Sequence, residues 1–135
     1  MLEKHPSELI RRRRKIAGMS AVLLPMTELG EIDWSSFRGL LERTVRAGLV
    51  PAVNMDTGYV QLISESAREQ VLDTTKSVVG EEFVAGAHVE DHEGDSWDRD
   101  AMAREMERIE SRGGTPVVFP SYGLTALDGP DWAGA

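Results

Sequence analysis

Side chains that could take part in chemistry follow four apolar runs of the sequence. They are Thr27, the turn 56–59 (Asp-Thr-Gly-Tyr), the cluster 88–93 (His-Val-Glu-Asp-His-Glu), and Ser121 with Tyr122. Hydroxyls and backbone amides can hold a carboxylate, a phenol can relay a proton, and imidazoles with carboxylates can bind a metal ion. The carboxyl ends of parallel strands meet at one edge of a sheet, so these groups share a site if the four runs are parallel strands.

The four apolar runs alternate with helical patterns. The runs are Met19–Met26, Leu49–Met55, Phe83–Val89 and Pro116–Tyr122, and their starts lie about 30 residues apart, the length of a βα unit. Helical spacing occurs between Asp33 and Gly48, between Ser64 or Ser66 and Gly80, and from about Trp97 to Arg112. The pattern predicts an α/β fold: a partial (β/α)8 TIM barrel with about four parallel strands, three to four helices and a short N-terminal helix.

Finer details of this pattern are also predicted. The unbroken run Met19–Met26 is typical of a parallel strand that is buried on both faces. Ser66 and Glu69 fit the spacing of a capping box, although Ser64 is an equally suitable cap. Residues 123–130 are predicted to form a loop, and residues 131–133 the first turn of another helix.

Composition restricts the class of protein. With 135 residues and 41% hydrophobic content, the chain can form one domain with a core. Its net charge of −8 argues against nucleic acid or an anionic membrane as a partner, because phosphates would be repelled. The absence of cysteine excludes disulfides and thiolate metal sites. No run approaches about 18 apolar residues and no signal-peptide pattern opens the chain, so we expect a soluble cytoplasmic protein.

A basic run, 11–15, is the exception to the acidic composition. It could form an anion-binding patch, but the overall negative charge favours the solvated face of a helix, Ser7–Ile16, whose apolar residues contact the body. We therefore divide the chain into an N-terminal basic helix, 1–17, and a barrel-like domain, 18–135.

A series of short motifs follows these elements in order. The first series, over Ala21–Gly48, consists of an apolar strand with proline, a turn, Gly-Glu-Ile-Asp-Trp, a helix and Ala-Gly. It is followed by the turn 55–59, by Leu62–Arg68, by Ala-Gly-Ala at 85–87 and by Phe-Pro-Ser-Tyr at 119–122. Their order and spacing resemble the dihydrodipicolinate synthase/N-acetylneuraminate lyase family. The resemblance covers roughly Gly18 to Ala135.

The resemblance implies a class I aldolase or lyase, in which a lysine on the sixth barrel strand forms a Schiff base with a 2-oxo acid such as pyruvate. Matched to the family's motifs, Tyr122 is the proton-relay residue, and Thr57 and Gly58, with Asp56 beside them, form the turn that binds the substrate carboxylate. We expect a small-molecule 2-oxo acid as partner, no cofactor, and a homo-oligomer or association through exposed sheet edges.

The chain also departs from the family's pattern. Asp56 takes the place of a hydroxyl residue, and its charge would repel a substrate carboxylate. The only lysines are Lys4, Lys15 and Lys76, and none is placed to form the Schiff base. A complete barrel needs about 250 residues. We therefore expect the N-terminal half of a lyase-like enzyme that is inactive by itself.

Two alternatives remain open. His88, Glu90 and His92 could bind Zn²⁺ or Mn²⁺ at the end of the third strand, with Asp56 as a further ligand or a base. Alternatively, the chain is a stand-alone half barrel that binds a partner, because such a fold exposes two sheet edges and an apolar interior.

Overall fold

The computed structural model describes residues 13–132 and 134, which contain one parallel sheet. Its strands lie in the order β1-β2-β3-β4: β1 is Met19–Ala21, β2 Val50–Val53, β3 Phe83–Ala87 and β4 Gly114–Val118. The helices are α1 (Trp34–Arg46), α2 (Glu65–Val79), α3 (Arg99–Glu110), α4 (Tyr122–Thr125) and α5 (Gly129–Trp132). This confirms the predicted α/β fold with four parallel strands joined by helical crossovers.

One face of the sheet forms the core with the three long helices. Alternate strand residues, among them Val53, Phe83 and Ala85, pack against buried residues of the helices. Those helix residues are Phe37, Leu41, Val71, Leu72, Met102 and Ile109. Full burial of a side chain of this size contributes roughly 1.5–3 kcal/mol.

Side-chain caps determine where the long helices begin. Asp33 caps α1 by accepting the Ser36 amide at 2.9 Å, as predicted. Ser64, rather than Ser66, caps α2, accepting the Ala67 amide at 3.2 Å. Helix α3 begins at Arg99 instead of Trp97, because Asp98 accepts the Ala101 amide at 2.8 Å. Within the described ranges, no helix has both the length and the apolar character needed to cross a bilayer.

The prediction for the first strand was wrong in its length and burial. Strand β1 ends at Ala21, and Met26 lies in an isolated antiparallel bridge with Ile32. Only one face of the run is covered, since Met19 and Leu23 are 63% and 55% exposed. The reason is that the described helices cover only the opposite face of the sheet.

The end of the fourth strand also differs from the prediction. Strand β4 ends at Val118, and Tyr122 begins α4 instead of ending a strand. Pro120 has no N–H for a strand ladder, and Ser121 caps α4 by accepting the Leu124 amide at 3.1 Å. Residues 123–125, predicted as part of a loop, are therefore helical. The predicted helical turn at residue 131 is confirmed within α5.

The predicted N-terminal helix, Ser7–Ile16, lies mostly outside the described residues. Its described part is not helical: Arg13 lies in a turn and residues 14–18 have no regular structure. Ile16 is exposed, so it does not make the predicted contact with the body.

Candidate functional site

The carboxyl ends of β2, β3 and β4 lie at the same edge of the sheet, because the strands are parallel. An open cavity of about 500 Å³ lies at this edge, and we call it the mouth cavity. It is lined by Gln61, by the first five residues of the cluster 88–93 (His88 to His92), and by Pro120, Ser121, Tyr122 and Thr125. The structure thus brings together the groups that follow the third and fourth strands, as the parallel arrangement predicts.

The turn after β2 is a short 3₁₀ turn, Asp56–Gly58. Gly58 is buried, and its amide donates to the Met55 carbonyl at 2.8 Å, so this N–H is engaged inside the turn. Thr57 is exposed. Among the residues of the predicted carboxylate-binding turn, Thr57 is therefore the one that presents a hydroxyl to the solvent side.

Asp56 is linked to the mouth cavity through Gln61. The side-chain amide of Gln61 donates a hydrogen bond to the Asp56 carboxylate, and Gln61 itself lines the cavity. This contact satisfies one oxygen of the Asp56 carboxylate. Gln61 was not among the predicted site residues, because nothing in its local sequence distinguishes it from an ordinary surface residue.

Arg68 fixes the exit of the same loop. Its guanidinium Nη1 donates to the carbonyls of Val60 and Ile63, at 3.3 and 3.2 Å. The Asn54 side chain in turn donates to the Arg68 carbonyl at 3.2 Å. Because these carbonyls belong to the loop and to the first turns of α2, Arg68 holds the loop against the helix. The sequence motif at 62–68 contained this arginine, but its contacts became visible only in the structure.

Tyr122 is 56% exposed at the start of α4 and borders the mouth cavity. Asp91 accepts both of the first two amides of α4, from Tyr122 at 3.0 Å and from Gly123 at 2.8 Å. Partial burial alone would raise the pKa of Asp91, but the two amides, the Ser121 hydroxyl and nearby His88 together lower it below the ordinary value. Asp91 is therefore ionised at neutral pH.

His88 lies half-buried at the end of β3 and lines the mouth cavity. Burial and the positive charge of Arg68 lower its pKa, and the carboxylates of Glu90, Asp91 and Asp56 only partly oppose this effect. The neutral imidazole is therefore favoured, with one nitrogen as donor and the other as acceptor.

The metal-site alternative gains no support from the geometry. His88, Glu90 and His92 all border the mouth cavity, but the described part of the chain contains no group of three or more histidine, aspartate or glutamate side chains placed to hold a metal ion. The His92 ring instead points toward Asp95, with Nδ1 3.6 Å from its carboxylate.

Neither of the two lysines in the described part of the chain lines the mouth cavity. Lys15 and Lys76 are exposed, Lys76 in the last turn of α2, and Lys4 lies outside the described residues.

A charged cluster lies behind this edge, between α2 and α3. Arg108 pairs with Glu65, with Glu105 at 3.0 Å and with Glu69 at 3.8 Å. Burial raises the pKa of Glu105, and the arginines Arg108 and Arg68 only partly offset this effect. These residues link α2 to α3, the helices that precede and follow β3. They therefore stabilise the packing around the site without lining the mouth cavity.

A parallel sheet in sequential order, helical crossovers and polar groups at the carboxyl edge are the features of part of a (β/α)8 barrel. Dihydrodipicolinate synthase proteins are among the solved structures that this fold resembles. One is the dihydrodipicolinate synthase from Aquifex aeolicus, with a TM-score of 0.60 and 17% identity over 76% of this chain and 33% of that one. Another is the 4-hydroxy-tetrahydrodipicolinate synthase from Methylacidiphilum fumariolicum SolV, with a TM-score of 0.61 and 18% identity over 77% and 34%.

A protein from Pseudomonas aeruginosa with a provisional assignment as a dihydrodipicolinate synthetase matches with a TM-score of 0.64 and 24% identity, over 80% of this chain and 37% of that one. The chain thus spans about a third of the length of the solved structures it matches. No protein-family model matches the sequence, and no curated protein is significantly similar to it. The predicted resemblance is confirmed in the fold, which is that of part of the dihydrodipicolinate synthase barrel.

Proposed function

We propose that the chain forms the carboxylate-binding turn and the proton-relay side of a Schiff-base lyase or aldolase that acts on 2-oxo acids. One observation carries this proposal. Tyr122 and Gln61 border the same cavity, and Gln61 is hydrogen-bonded to Asp56 in the turn after β2. The cavity lies at the edge of the sheet where barrel enzymes of this fold bind their substrates.

The proposed roles follow from the chemistry of the exposed groups. The phenol of Tyr122 can donate and accept a proton at the cavity, as a relay requires. The hydroxyl of Thr57 can donate to a substrate carboxylate. The Asp56 carboxylate already accepts a hydrogen bond from Gln61, and the substrate carboxylate approaches the turn from the Thr57 side. Gly58 supports the turn through its buried backbone, since its amide is already bonded.

The proposed reaction also needs an amine to attack the substrate carbonyl, with loss of water, to form the Schiff base. The chain contains three lysines, and the two within the described ranges are exposed and remote from the cavity lining. We therefore propose that the 135-residue chain binds a 2-oxo acid without forming the covalent intermediate.

Pyruvate titration of the ¹⁵N-labelled chain, followed by NMR, tests the proposal. We expect shift changes at Thr57 and Tyr122 with a weak dissociation constant, on the order of 1 mM. Thr57→Val and Tyr122→Phe should each weaken binding severalfold. Tyr59→Phe is the matched control, because Tyr59 is the only other tyrosine and does not line the cavity. A flat titration, or equal loss in the control, would refute the assigned roles.

Borohydride reduction in the presence of pyruvate tests the covalent part separately. Mass spectrometry should show no adduct on the chain. A stable adduct on Lys15 or Lys76 would show that a lysine of this segment can serve after all.

A second candidate function is self-association through the open side of the sheet. Within the described residues, β1 and β4 each pair with one strand only. Exposed hydrophobic residues accompany both edges: Met19 lies on β1, Leu23 shortly after it, and Val117 on β4. We propose that a second copy of the chain covers this face. In such a dimer the β1 edge of each copy pairs with the β4 edge of the other, which extends the sheet.

Light scattering over a concentration series tests the association. We expect a dimer that Leu23→Asp dissociates, whereas Leu62→Asp, at an exposed leucine in the loop before α2, leaves it intact. A monomer at every concentration would end this candidate.

A further inference from the structure

We infer that Asp91 is the positioning residue that fixes Tyr122 at the mouth cavity. This inference rests on the proposed function only for what Tyr122 does there. The contact itself is a feature of the fold. Asp91 belongs to the loop after β3, whereas Tyr122 follows β4, so the carboxylate joins two neighbouring loops.

The contact uses both oxygens of the carboxylate. Oδ1 accepts the Tyr122 amide at 3.0 Å and Oδ2 accepts the Gly123 amide at 2.8 Å. The first amides of a helix have no partner inside the helix, so an ionised acceptor at this position satisfies two of them at once. A hydrogen bond to a charged group is about twice as strong as one between neutral groups.

Helix α4 depends on such outside contacts because it has only four residues. A single helical turn is not stable by itself, since nucleation costs more than its few hydrogen bonds return. Ser121 supplies one local cap, through the Leu124 amide at 3.1 Å. The only long-range hydrogen bonds that anchor the start of this helix, within the described ranges, come from Asp91.

The packing of Gly123 restricts where the first residues of α4 can lie. A Cβ atom at Gly123 would lie 2.6 Å from backbone atoms of Ser96 and Trp97, so the helix start touches this loop backbone directly. Asp91 pulls the two amides inward while the 96–97 backbone blocks further approach. Between these two contacts the Tyr122 backbone is fixed, and its side chain points toward the cavity that His88 also lines.

Amide hydrogen exchange measured by NMR tests the contact. In Asp91→Ala we expect the amides of Tyr122 and Gly123 to exchange at least about tenfold faster, while core amides such as that of Ala85 keep their rates. Asp91→Asn keeps one acceptor oxygen and should give an intermediate effect, and it also serves if the alanine variant folds poorly. The matched control is Asp95→Ala, which removes a carboxylate from the same loop that accepts the His92 amide instead.

A second readout separates positioning from general stability. In a Tyr59→Phe background, ¹³C-labelled tyrosine reports Tyr122 alone, because the chain has two tyrosines. With Asp91→Ala, the pyruvate response of Tyr122 should disappear while that of Thr57 remains. Unchanged exchange at Tyr122 and Gly123, or simultaneous loss of both pyruvate responses, would overturn the positioning role.

The two proposals fail in distinguishable ways. If the wild-type chain gives no pyruvate response but Asp91→Ala still accelerates exchange at Tyr122, the lyase proposal falls and the positioning by Asp91 stands. If pyruvate binds and the exchange rates are unchanged, the opposite conclusion follows.

Discussion

The carbonyl oxygen of Asn54 lies against the α-carbon of Gly86, in the space that a side chain at Gly86 would occupy. The Phe119 ring covers the same position, 2.6 Å from where a Cβ atom would be. Asn54 reaches this place by a left-handed backbone turn with φ of 49° at the end of β2, and only 3% of it is exposed. Three strand ends therefore converge on a glycine beneath the mouth cavity.

Gly86→Ala should destabilise the protein by about 1–3 kcal/mol, because the added methyl group must displace a backbone carbonyl and an aromatic ring. Urea denaturation measures the effect. The control is Gly39→Ala in α1, where the new Cβ meets only the flexible end of Arg43 at 3.3 Å. The control should be neutral or up to about 1 kcal/mol more stable, since alanine favours helix. Equal effects at both positions would contradict the packing argument.

The contact of Asp91 with α4 should depend on pH at the acidic end. The folded-state pKa of Asp91 is lowered, so its stabilisation is complete above the ordinary value of about 3.9 and is lost as pH falls through the lower folded value. His88 also faces Asp91, and Glu90, Asp56 and Arg68 surround His88. The amide shifts of Tyr122 and Gly123 should titrate below the ordinary value and stop doing so in Asp91→Asn. A midpoint above about 3.9 would refute this prediction.

His88 should titrate below about 6.5, the ordinary value for histidine, because burial disfavours its charged form. Glu90→Gln should lower the pKa of His88 further, since it removes a carboxylate that favours protonation. NMR of the imidazole nitrogens gives both values. An unchanged or higher pKa of His88 in the Glu90→Gln variant would contradict the assigned effect of Glu90.

Arg108→Ala should destabilise the α2–α3 contact by about 1–2 kcal/mol, because three carboxylates lose the cation that they share. Ion pairs that are partly buried contribute more than pairs on the open surface. The pKa of Glu105 should rise further, since Arg108 now lowers it. Arg104→Ala is the matched control, an exposed arginine of the same helix with no ion pair among the described residues. Thermal unfolding of both variants at low and high salt measures the loss of stability. An equal loss of stability in the Arg104→Ala control would refute the role assigned to Arg108.

Much of the fold could be predicted from short segments. The Asp33 cap, the stop near Gly48 and the buried helix faces all depend on residues within a few positions of each other, so local patterns were sufficient. The prediction of burial on both faces failed at β1, and the predicted fourth strand extended too far, because Tyr122 begins α4. An apolar run has the same composition whether or not its second face is covered, so exposure of Met19 and Leu23 could not be foreseen.

The candidate site was only partly predictable. Tyr122 and the turn 56–58 were found through the family motifs, and their positions at one edge follow from parallel strands. Asp91 was counted as one more acidic residue of a cluster. Its partner amide at Tyr122 is 31 residues away, and no local pattern connects the two.

The sequence by itself determined the alternation of strands and helices, the capping residues and the chemical character of the groups at the strand ends, because each is set by neighbours along the chain. Three features followed from the packing alone: Tyr122 begins a helix held by Asp91, the Gly58 amide is engaged, and His88 and His92 belong to no group of three or more side chains in the described part of the chain that could hold a metal ion. These outcomes depend on distances between loops that follow different strands. The packing of Gly86 against Asn54, and of Gly123 against the 96–97 backbone, sets those distances.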